Sequence, residues 1–451
     1  MSRRATLWGT LLAAACGTPQ EGTAPPRPSL VFILADDLGW GDVGCYGAPD
    51  LRTPVLDRLA AEGVRFTQFY ANGPECTPTR TAFLTGRYQQ RVGGLECAIG
   101  LGGVGRYDDA VRLQAAGELG LPPSEPSLAR LLKDAGYATA ICGKWHLGYD
   151  RKFHPDRHGF DRAFGPLGGA VDYFHHCEPD GTPMLYQDGR PVRREGYLTD
   201  LITDEALRFL RSRPASPFFL YVPYTAPHAP YQGPRDRRPA PVPEVEWNRG
   251  TRGTYAEMVE RMDAGVGAIL EALESEGLAG RTLVVFASDN GADPRGWNHP
   301  WRGGKGGLFE GGIRVPCIAR WPGRLLAGTV ADRPAMTMDW TVSFARLAGA
   351  RPPAGRPFDG VDILEEVERG LPPSPRPLFW RARRGDRTWR AAREGPLKYV
   401  SRQDGGKLEE FLFDLERDPA EAQDLSAARP ADRDRLKALL ADWETRVRPG
   451  R

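Results

Sequence analysis

The sequence LVFILADD, at residues 30–37, contains six apolar residues followed by two aspartates. A continuous apolar run of this length suits a strand that is buried on both faces, as in the middle of a parallel sheet. Open α/β sheets bind their ligands at the carboxyl ends of the strands. The run therefore predicts a parallel sheet with Asp36 and Asp37 at its ligand-binding edge, as candidates for a hard-cation site. Taken alone, the aspartate pair is also compatible with a solvated turn.

Three further apolar runs, at residues 138–142, 218–222 and 282–287, predict buried strands of the same sheet. Polar residues follow each of these runs. In the order of the runs, they are Lys144 and His146, then His228, then Asp289 and Asn290. Because the carboxyl ends of parallel strands meet at one edge, we expect all these side chains near the first two aspartates. Segments with helical spacing separate the runs, which is the α/β pattern.

The sequence CTPTRTAFLTG, at residues 76–86, predicts the start of a buried helix. Thr77 offers a capping hydroxyl, and Pro78 suits a first helical turn because its missing N–H needs no partner there. Residue 76 would then lie at the positive end of the helix, where a developing anion is stabilised. An ordinary buried cysteine is the alternative. Three residues separate Cys76 from Arg80, which is too few for a tyrosine-phosphatase loop.

Two glycine-rich stretches imitate nucleotide-binding motifs without their context. Residues 39–44 match the dinucleotide-binding glycine pattern, but Gly47 and Pro49 exclude the helix that must follow it. Residues 302–307 resemble a phosphate-binding loop, but glycine follows Lys305 where that loop needs Ser or Thr. We therefore interpret both as loops, the second one carrying a lysine on a flexible backbone.

Other segments give weaker patterns. Residues 64–70 alternate like a strand, and residues 313–320 predict a further strand. Residues 154–196 are rich in His, Gly, Pro and aromatic residues, which predicts loops and a hairpin at the mouth of the site. Loops at such a place select the substrate. The candidate specificity contacts there are Asp172, His175 and His176, although ordinary surface loop residues are an equally good interpretation.

The composition indicates a globular enzyme. The chain has 451 residues, of which 41% are hydrophobic and 10% aromatic, and its formal net charge is +2. This length allows one large core and a second, smaller unit. The nearly balanced charge gives no reason to expect a nucleic-acid partner or binding to a membrane surface.

The first 27 residues predict a leader and linker. Arg3 and Arg4 precede an apolar run at residues 7–15, which is too short to span a bilayer and suggests an export signal. Cys16 follows in a context that resembles a lipoprotein cleavage box, so a lipid anchor at Cys16 and plain secretion are both open. We expect an exported protein that is periplasmic, secreted or an outer-membrane lipoprotein. Apart from Cys16 and Cys76, five scattered cysteines remain, which is no disulfide framework.

The composition changes near residue 350, where Pro and Arg become frequent. Short strand-like segments and a last helix at residues 431–447 follow. We therefore expect a catalytic domain at residues 28–349 and a small C-terminal subdomain at residues 350–451, built from an antiparallel sheet and one helix.

The motifs together resemble the formylglycine-dependent sulfatases, in particular arylsulfatases and N-acetylgalactosamine sulfatases. Residues 76–86 resemble the first signature of that family, and residues 136–146 resemble the second. The resemblance extends over residues 28–445, with Glu75 and Cys142 as departures from the family pattern. It implies the alkaline-phosphatase-like fold, an α/β fold with a large mixed, mostly parallel sheet sandwiched by helices and a small C-terminal antiparallel subdomain.

The resemblance also implies a mechanism for hydrolysing sulfate esters. Cys76 would be oxidised to formylglycine by a maturation enzyme, and its hydrate would be the nucleophile. One divalent cation, calcium or alternatively magnesium, would be held by Asp36, Asp37, residue 76, Asp289 and Asn290. The implied catalytic roles are that Arg80 orients the hydrate, Lys144 and Lys305 bind the sulfate, His146 contacts the hydrate, and His228 with Lys305 protonates the leaving alcohol.

The substrate that the resemblance implies is a sulfated small molecule or glycan, and a polar pocket lined by aromatic residues favours sulfated carbohydrates. Two other functions remain open. One is a phosphoesterase of the same superfamily, although such enzymes place Ser or Thr at the nucleophile without this context. The other is a sulfoglycan-binding protein in which Cys76 is never converted.

Overall fold

The computed structural model of the chain describes residues 27–100, 107–214 and 217–449. The strands of these ranges are β1 (Ser29–Ala35), β2 (Val64–Phe66), β3 (Phe69–Tyr70), β4 (Ala138–Cys142), β5 (Arg162–Pro166), β6 (Leu185–Gln187), β7 (Arg190–Pro191), β8 (Phe218–Pro223), β9 (Thr282–Ser288), β10 (Cys317–Arg320), β11 (Thr329–Ala331), β12 (Ala335–Met336), β13 (Leu378–Arg384), β14 (Arg387–Glu394), β15 (Leu397–Asp404) and β16 (Lys407–Asp414).

The α-helices of the same ranges are α1 (Pro54–Ala61), α2 (Cys76–Thr85), α3 (Asp108–Ala115), α4 (Leu128–Asp134), α5 (Leu198–Arg211), α6 (Arg252–Ser275), α7 (Glu310–Ile313), α8 (Thr337–Ala348), α9 (Ile363–Glu368) and α10 (Pro430–Arg446). None of the helices in the described ranges is both long and apolar enough to span a membrane. Residues 1–26 of the predicted leader and linker, which include Cys16, lie outside the described residues.

Ten strands form one sheet in the order β11-β2-β10-β9-β1-β8-β4-β5-β6-β7. The five strands from β9 to β5 in this order are parallel to one another. Antiparallel pairing begins on both sides of them, with β10 at one side and β6 at the other. The predicted fold class, a large mixed and mostly parallel sheet with helices, is therefore confirmed.

Strand β1 lies in the centre of this sheet, and all seven of its residues are buried. Phe32 stacks on Phe83 of α2 with ring centroids 3.9 Å apart, and its edge faces Phe344 of α8. Helices α2, α4 and α8 pack together on that side, whereas α1, α5 and α6 form a second group. Each buried aromatic ring of this kind stabilises the fold by roughly 2–3 kcal/mol, so the sheet and α2 are held rigidly together.

Helix α2 is buried along its whole length and ends at Gly86. The backbone of Gly86 is left-handed, with φ of 67°, and its N–H donates to the carbonyl of Ala82 at 2.8 Å. A side chain at this position would lie 2.5 Å from the ring of Phe358. The predicted helix end is thus confirmed, because only glycine satisfies both the conformation and the space.

The predicted small antiparallel sheet with one helix is also present. Strands β13, β14, β15 and β16 pair in sequence order, and α10 packs against β14 and β15. Their apolar core includes Trp380, Tyr399 and Trp443, and it continues into Tyr70 and Met336 of the larger part. The boundary at residues 349 and 350 stays a prediction.

Three sequence predictions about individual segments are wrong. Residues 64–70 are two strands rather than one, because β2 joins the large sheet whereas β3 pairs with β12 in a separate two-stranded sheet. The predicted strand at residues 313–320 is too long, because Ile313 is the last residue of α7 and the strand β10 begins only at Cys317. The region of residues 154–196 contains the predicted hairpin, β6 and β7, but also β5, a parallel strand of the large sheet.

A buried charge cluster joins the C-terminal sheet to the larger part. Lys398 of β15 donates to Glu310 of α7 and to Glu421, both at 2.8 Å, and all three side chains are fully buried. Burial opposes the charge of Glu310, but Lys398 and Arg314 outweigh it and hold the pKa of this carboxyl below its usual value. Burial, together with the nearby charge of Glu310, raises the pKa of Glu421 despite the opposing effect of Lys398. The contact therefore depends on the lysine.

We expect Lys398→Met to lower the free energy of unfolding by about 3–5 kcal/mol near pH 8, because two buried carboxylates lose their shared cation. The pKa of Glu421 is already raised, and without the ammonium it rises further above the unfolded value, so the folded variant binds protons more readily. The stability of the variant therefore falls as the pH rises. Its loss of unfolding free energy relative to the unsubstituted protein should be smaller near pH 5 than near pH 8. Urea denaturation at both pH values measures the effect.

The control is Lys407→Met, which removes a lysine of the same sheet whose side chain is 74% exposed. This change should alter the free energy of unfolding by less than about 0.5 kcal/mol. An equal loss for Lys398→Met at the two pH values would contradict the explanation from buried charge.

Candidate active site

Four adjacent strands bring their polar residues to the carboxyl edge of the large sheet. Asp289 and Asn290 follow β9, and Asp36 and Asp37 follow the next strand of the sheet, β1. His228 follows β8, and Lys144 and His146 follow β4. Two of them have left-handed backbones although they are not glycine, with φ of 64° at Asp37 and 57° at His146. Such conformations are strained by roughly 1–2 kcal/mol and cluster at functional sites.

Cys76 is the first residue of α2, and only 1% of it is exposed. Its thiol donates a hydrogen bond to Oδ1 of Asp36 at 3.1 Å. Burial, and then the charges of Asp289 and Asp36, raise the pKa of the thiol well above its ordinary value. The nucleophilic form of cysteine is the thiolate, so unmodified Cys76 is a poor nucleophile here.

The start of α2 differs from the prediction in one respect. Thr77 does not cap the helix, since the N-cap residue is Glu75 and no side chain caps it. The hydroxyl of Thr77 instead donates to the carbonyl of His146 at 3.0 Å. Pro78 lies in the first turn, as expected. Thr77 therefore ties the start of α2 to the loop that follows β4.

Arg80 is fully buried and connects three segments of the site. Its Nε and Nη2 donate to Oδ2 of Asp289 at 3.1 and 2.8 Å. Its Nη1 donates to the carbonyl of Lys144 at 3.0 Å. Arg80 thus fixes the carboxylate of Asp289 and the backbone of the loop after β4.

Each lysine of the site pairs with one aspartate of the β1 end. Nζ of Lys144 lies 2.5 Å from Oδ2 of Asp36, and Nζ of Lys305 lies 2.7 Å from Oδ2 of Asp37. Burial disfavours the charge of Asp37, but the charge of Lys305 outweighs it and holds the pKa of Asp37 below its usual range. Burial likewise disfavours the charge of Lys305, but Asp37 raises the pKa of this lysine. Both members of this pair are therefore charged.

The buried charges of the site balance. Its anions are the carboxylates of Asp36, Asp37 and Asp289, and its cations are Arg80, Lys144 and Lys305. An uncompensated buried charge costs several kcal/mol. The arrangement is therefore stable only if all three cationic side chains reach the edge of the sheet.

The residues present fit a divalent cation. Ligand atoms of Asp36, Asp37, Cys76 and His228 all lie within 4.8 Å of one another. Among the described residues, Oδ1 of Asn290 is buried and has no hydrogen-bond partner, while its Nδ2 donates to Asp37. Buried polar atoms are almost always satisfied, so this oxygen points to a missing partner. Carboxylate and amide oxygens are the ligands that calcium and magnesium prefer.

Asp289 lies outside that compact group of four residues. Its Oδ2 accepts from Arg80, and its Oδ1 accepts from the backbone N–H of Asp37 at 3.2 Å. Burial, and then the charge of Asp36, raise the pKa of Asp289. The carboxylate of Asp289 thus lies next to the four possible ligand residues, but both of its oxygens accept hydrogen bonds from other groups.

His146 is a buried neutral imidazole. Its Nε2 lies 2.6 Å from the carbonyl oxygen of Ile99, which can only accept, so Nε2 carries the proton. Burial, and then the charge of Lys144, lower the pKa of His146 well below its usual value. Its Nδ1 is buried and lacks a hydrogen-bond partner within the described ranges. Nδ1 of His146 can therefore accept a hydrogen bond from a bound group.

His228 has the opposite tautomer. Its Nδ1 lies 2.6 Å from the carbonyl oxygen of Ala229 and carries the proton, while Nε2 lies 3.6 Å from Oδ2 of Asp37. Burial, and then the charge of Lys305, lower the pKa of His228 to about 3. The neutral ring presents a lone pair to the carboxylates, so it can donate a proton from Nε2 only as the imidazolium.

Comparison with known proteins identifies the family. The Sulfatase family model matches residues 28–350, and this match covers most of the chain. The chain belongs to the sulfatase family. Its members are sulfuric ester hydrolases, and the predicted resemblance is confirmed.

Two curated sulfatases and one solved structure illustrate the relationship. The chain is 40% identical to the steryl-sulfatase of Mus musculus over 80% of its own length and 68% of that protein. It is 39% identical to the N-acetylgalactosamine-6-sulfatase of Sus scrofa over 83% of its length and 72% of that protein. The crystal structure of Ps i-CgsB in complex with k-i-k-neocarrahexaose matches it with a TM-score of 0.80 at 31% identity, covering 93% of each chain.

Two cavities open next to Lys305 in this sulfatase, and both share Asp293, Gly303 and Gly304 as lining residues. The first, the indole cavity, has a volume of about 670 Å³. Its side-chain lining includes Trp297, Asn298, His299 and Trp301. The second, the arginine cleft, has a volume of about 510 Å³. Its lining includes Glu75, Phe309, Arg384, Arg387, Trp389 and Arg402.

Sequence reasoning missed both cavities. The signal for the first is present in the stretch WNHPW at residues 297–301, which places aromatic and polar residues directly before the loop of Lys305. The second has no local signal, because its arginines come from three different strands. Pairing between those strands is needed to find it.

The candidate specificity residues of the 154–196 region have structural roles instead. Asp172 is buried, and its carboxylate accepts from the backbone N–H groups of Phe174, His175 and Val242. His176 is buried as well, with Nε2 at 3.1 Å from the carbonyl oxygen of Gly196. Their polar atoms hold the loop together, and none of these residues lines either cavity beside Lys305.

Proposed function

We propose that this sulfatase hydrolyses sulfate esters of carbohydrates, with residue 76 converted to formylglycine and one calcium ion at the edge of the sheet. The observation that carries the proposal is the convergence of a buried Cys76 with balanced buried charges around it. The ligands we assign to the cation are Asp36, Asp37, residue 76, Asp289 and Asn290. Formylglycine would supply a hydrated aldehyde as the nucleophile, and the cation would supply Lewis acidity.

The lysines would bind the sulfate group. Lys144 and Lys305 each contact one carboxylate that we assign to the cation. If those carboxylates held the cation, both ammonium groups would be available to an anion. The site would then carry an excess of positive charge in a buried setting, where electrostatic stabilisation of a sulfuryl group is strongest.

The remaining residues would orient the reacting groups and transfer protons. Nδ1 of His146 is an unpartnered acceptor near the start of α2, so we assign it the hydroxyl proton of the hydrated residue 76. Arg80 holds Asp289 and the loop of Lys144, which orients the ligands and the sulfate-binding lysine. Lys305 and His228 flank the leaving group. His228 acts as an acid only after the anionic substrate favours its imidazolium form.

The indole cavity favours a carbohydrate substrate. Indole rings stack on the apolar faces of sugars, and Asn298, His299 and Asp293 offer hydrogen bonds to hydroxyl groups in the same cavity. A steroid would leave these polar groups unpaired, which costs binding free energy. The similarity to an N-acetylgalactosamine-6-sulfatase and to the structure of Ps i-CgsB in complex with k-i-k-neocarrahexaose also supports a carbohydrate substrate.

Conversion of residue 76 requires a maturation enzyme, and export with a lipid anchor at Cys16 stays a prediction.

The first test concerns residue 76. Protein from a host with the maturation machinery should show formylglycine there, seen by peptide mass as the loss of sulfur and two hydrogens and the gain of oxygen. Cys76→Ser should lose multiple turnover, because a serine has one hydroxyl and cannot form the hydrate. Full turnover by Cys76→Ser, or by protein whose residue 76 is plain cysteine, would refute the proposal.

The second test concerns the cation. Purified protein should contain about one calcium ion, and exhaustive chelation should abolish turnover and lower the thermal midpoint, with both restored by calcium. Asn290→Ala should weaken calcium affinity at least tenfold, since it removes a ligand oxygen. The control is Asn248→Ala, at an exposed asparagine. Metal analysis without a bound cation, combined with undiminished turnover after chelation, would eliminate the metal site.

The third test concerns the leaving group. A sugar alcohol needs a proton as the S–O bond to it breaks, whereas a nitrophenol can leave as the anion. We therefore expect His228→Ala to reduce kcat at least tenfold more on a sulfated sugar than on nitrophenyl sulfate. Equal losses on both substrates would show that His228 is not the acid.

A further inference from the structure

The arginine cleft lies between the C-terminal sheet and the loop of Lys305. Strand pairing puts Arg384 of β13 opposite Arg387 of β14, and Trp389 of β14 opposite Arg402 of β15. Because side chains alternate between the two faces of a sheet, these four residues share one face. That face forms one wall of the cleft, and Gly303, Gly304 and Lys305 lie in the other. The cleft therefore adjoins the site of sulfate ester hydrolysis.

Each arginine of the cleft is held in place through its Nε edge. Arg384 pairs with Glu75, Arg387 with Asp404, and Arg402 with Glu409, with Nε to oxygen distances of 3.0, 2.8 and 2.9 Å. Within the described ranges, Nη1 of none of the three arginines makes a hydrogen bond. Their side chains are 55%, 53% and 37% exposed. The guanidinium groups are thus oriented by carboxylates and still offer donors to a ligand.

The lining of the cleft carries more positive than negative charge. It contains four cations, Lys305 and the three arginines, and two carboxylates, Glu75 and Asp293. The carboxylates of Asp404 and Glu409, which pair with Arg387 and Arg402, are not part of the lining. Trp389 and Phe309 add aromatic surface, and the guanidinium of Arg402 lies over the indole of Trp389 at 5.5 Å. Arginine donors beside an aromatic ring suit a sugar that bears an anionic group.

We propose that the arginine cleft binds a second anionic group, a sulfate or a carboxylate, on a sugar next to the one that loses its sulfate. This inference rests on the proposed function. It makes the substrate an oligosaccharide with at least two anionic groups, of which one is hydrolysed and the other is bound by Arg384, Arg387 and Arg402.

The kinetic test compares substrates as a ratio. For the holoenzyme, kcat/KM on a disaccharide with a second sulfate or a uronate carboxylate should exceed that on the matching monosulfated disaccharide by at least tenfold, as expected for charged hydrogen bonds. In Arg387→Ala/Arg402→Ala this ratio should fall to about one. Arg384 is left intact because it also holds Glu75, the neighbour of Cys76. A gain with sulfate, with carboxylate or with both identifies the group.

The control variant is Arg390→Ala. Arg390 lies on β14 between the residues of the cleft but on the opposite face, where it pairs with Glu444 of α10. For Arg390→Ala, the ratio of kcat/KM between the two disaccharides should remain that of the unsubstituted enzyme. The inference is overturned if the unsubstituted enzyme shows a ratio near one, or if Arg387→Ala/Arg402→Ala leaves the ratio unchanged. In either case, hydrolysis of the monosulfated sugar would still uphold the proposed function.

A binding test separates the two proposals further. Cys76→Ala protein, which cannot turn over substrate, is titrated with the same disaccharides by calorimetry at low and high salt. The doubly anionic sugar should bind at least tenfold more tightly at low salt, and Arg387→Ala/Arg402→Ala should remove this difference. Equal affinity for both sugars overturns the inference, whether or not the mature enzyme proves to be active on them.

Discussion

Three carboxylates buried at one edge of a sheet are the constraint on which this structure depends. Asp36, Asp37 and Asp289 follow two adjacent strands, and their mutual repulsion in a buried setting would be prohibitive without compensation. The compensating cations come from α2, from the loop after β4 and from the loop before α7. Three separate segments of the chain thus return a cationic side chain to this edge.

The C-terminal sheet is part of the same arrangement, because it holds the loop that carries Lys305. Arg302 at the start of that loop lies over the ring of Phe309 at 4.0 Å and donates to the carbonyl of Glu421 at 3.0 Å. At the end of the loop, Glu310 pairs with Lys398 of β15. The flexible glycines around Lys305 are thus fixed at both ends. The sheet that forms one wall of the arginine cleft also sets the position of Lys305, the lysine that we propose binds sulfate.

The large sheet and most of the site could be predicted because each strand end carries its own local signal. The apolar run before Asp36 and the one before Asp289 indicate burial, and their polar ends indicate the edge. Features that depend on tertiary contacts could not be predicted. The hydroxyl of Thr77 bonds to the carbonyl of His146 instead of capping its helix, and residues 64–70 divide between two sheets. The tautomers of the histidines depend on carbonyl groups that only the folded chain provides.

The arginine cleft shows the same limit at a larger scale. Arg384, Arg387 and Arg402 are unremarkable members of an arginine-rich segment until strand register places them on one face. Arg390 belongs to the same segment but faces α10. Period-two alternation assigns faces within one strand, but only the pairing between strands decides which faces combine.

The burial of Cys76 fixes the order of events in the making of this protein. Only 1% of the residue is exposed, and α2 is buried from end to end, so no modifying enzyme can reach it once the sheet has closed. The proposed conversion of residue 76 would therefore have to compete with folding itself. The share of active molecules would be decided by these two rates while each chain is new, and a folded chain that had missed conversion could recover only by unfolding. Faster synthesis without more maturation capacity would then enlarge a pool of stable but inert protein.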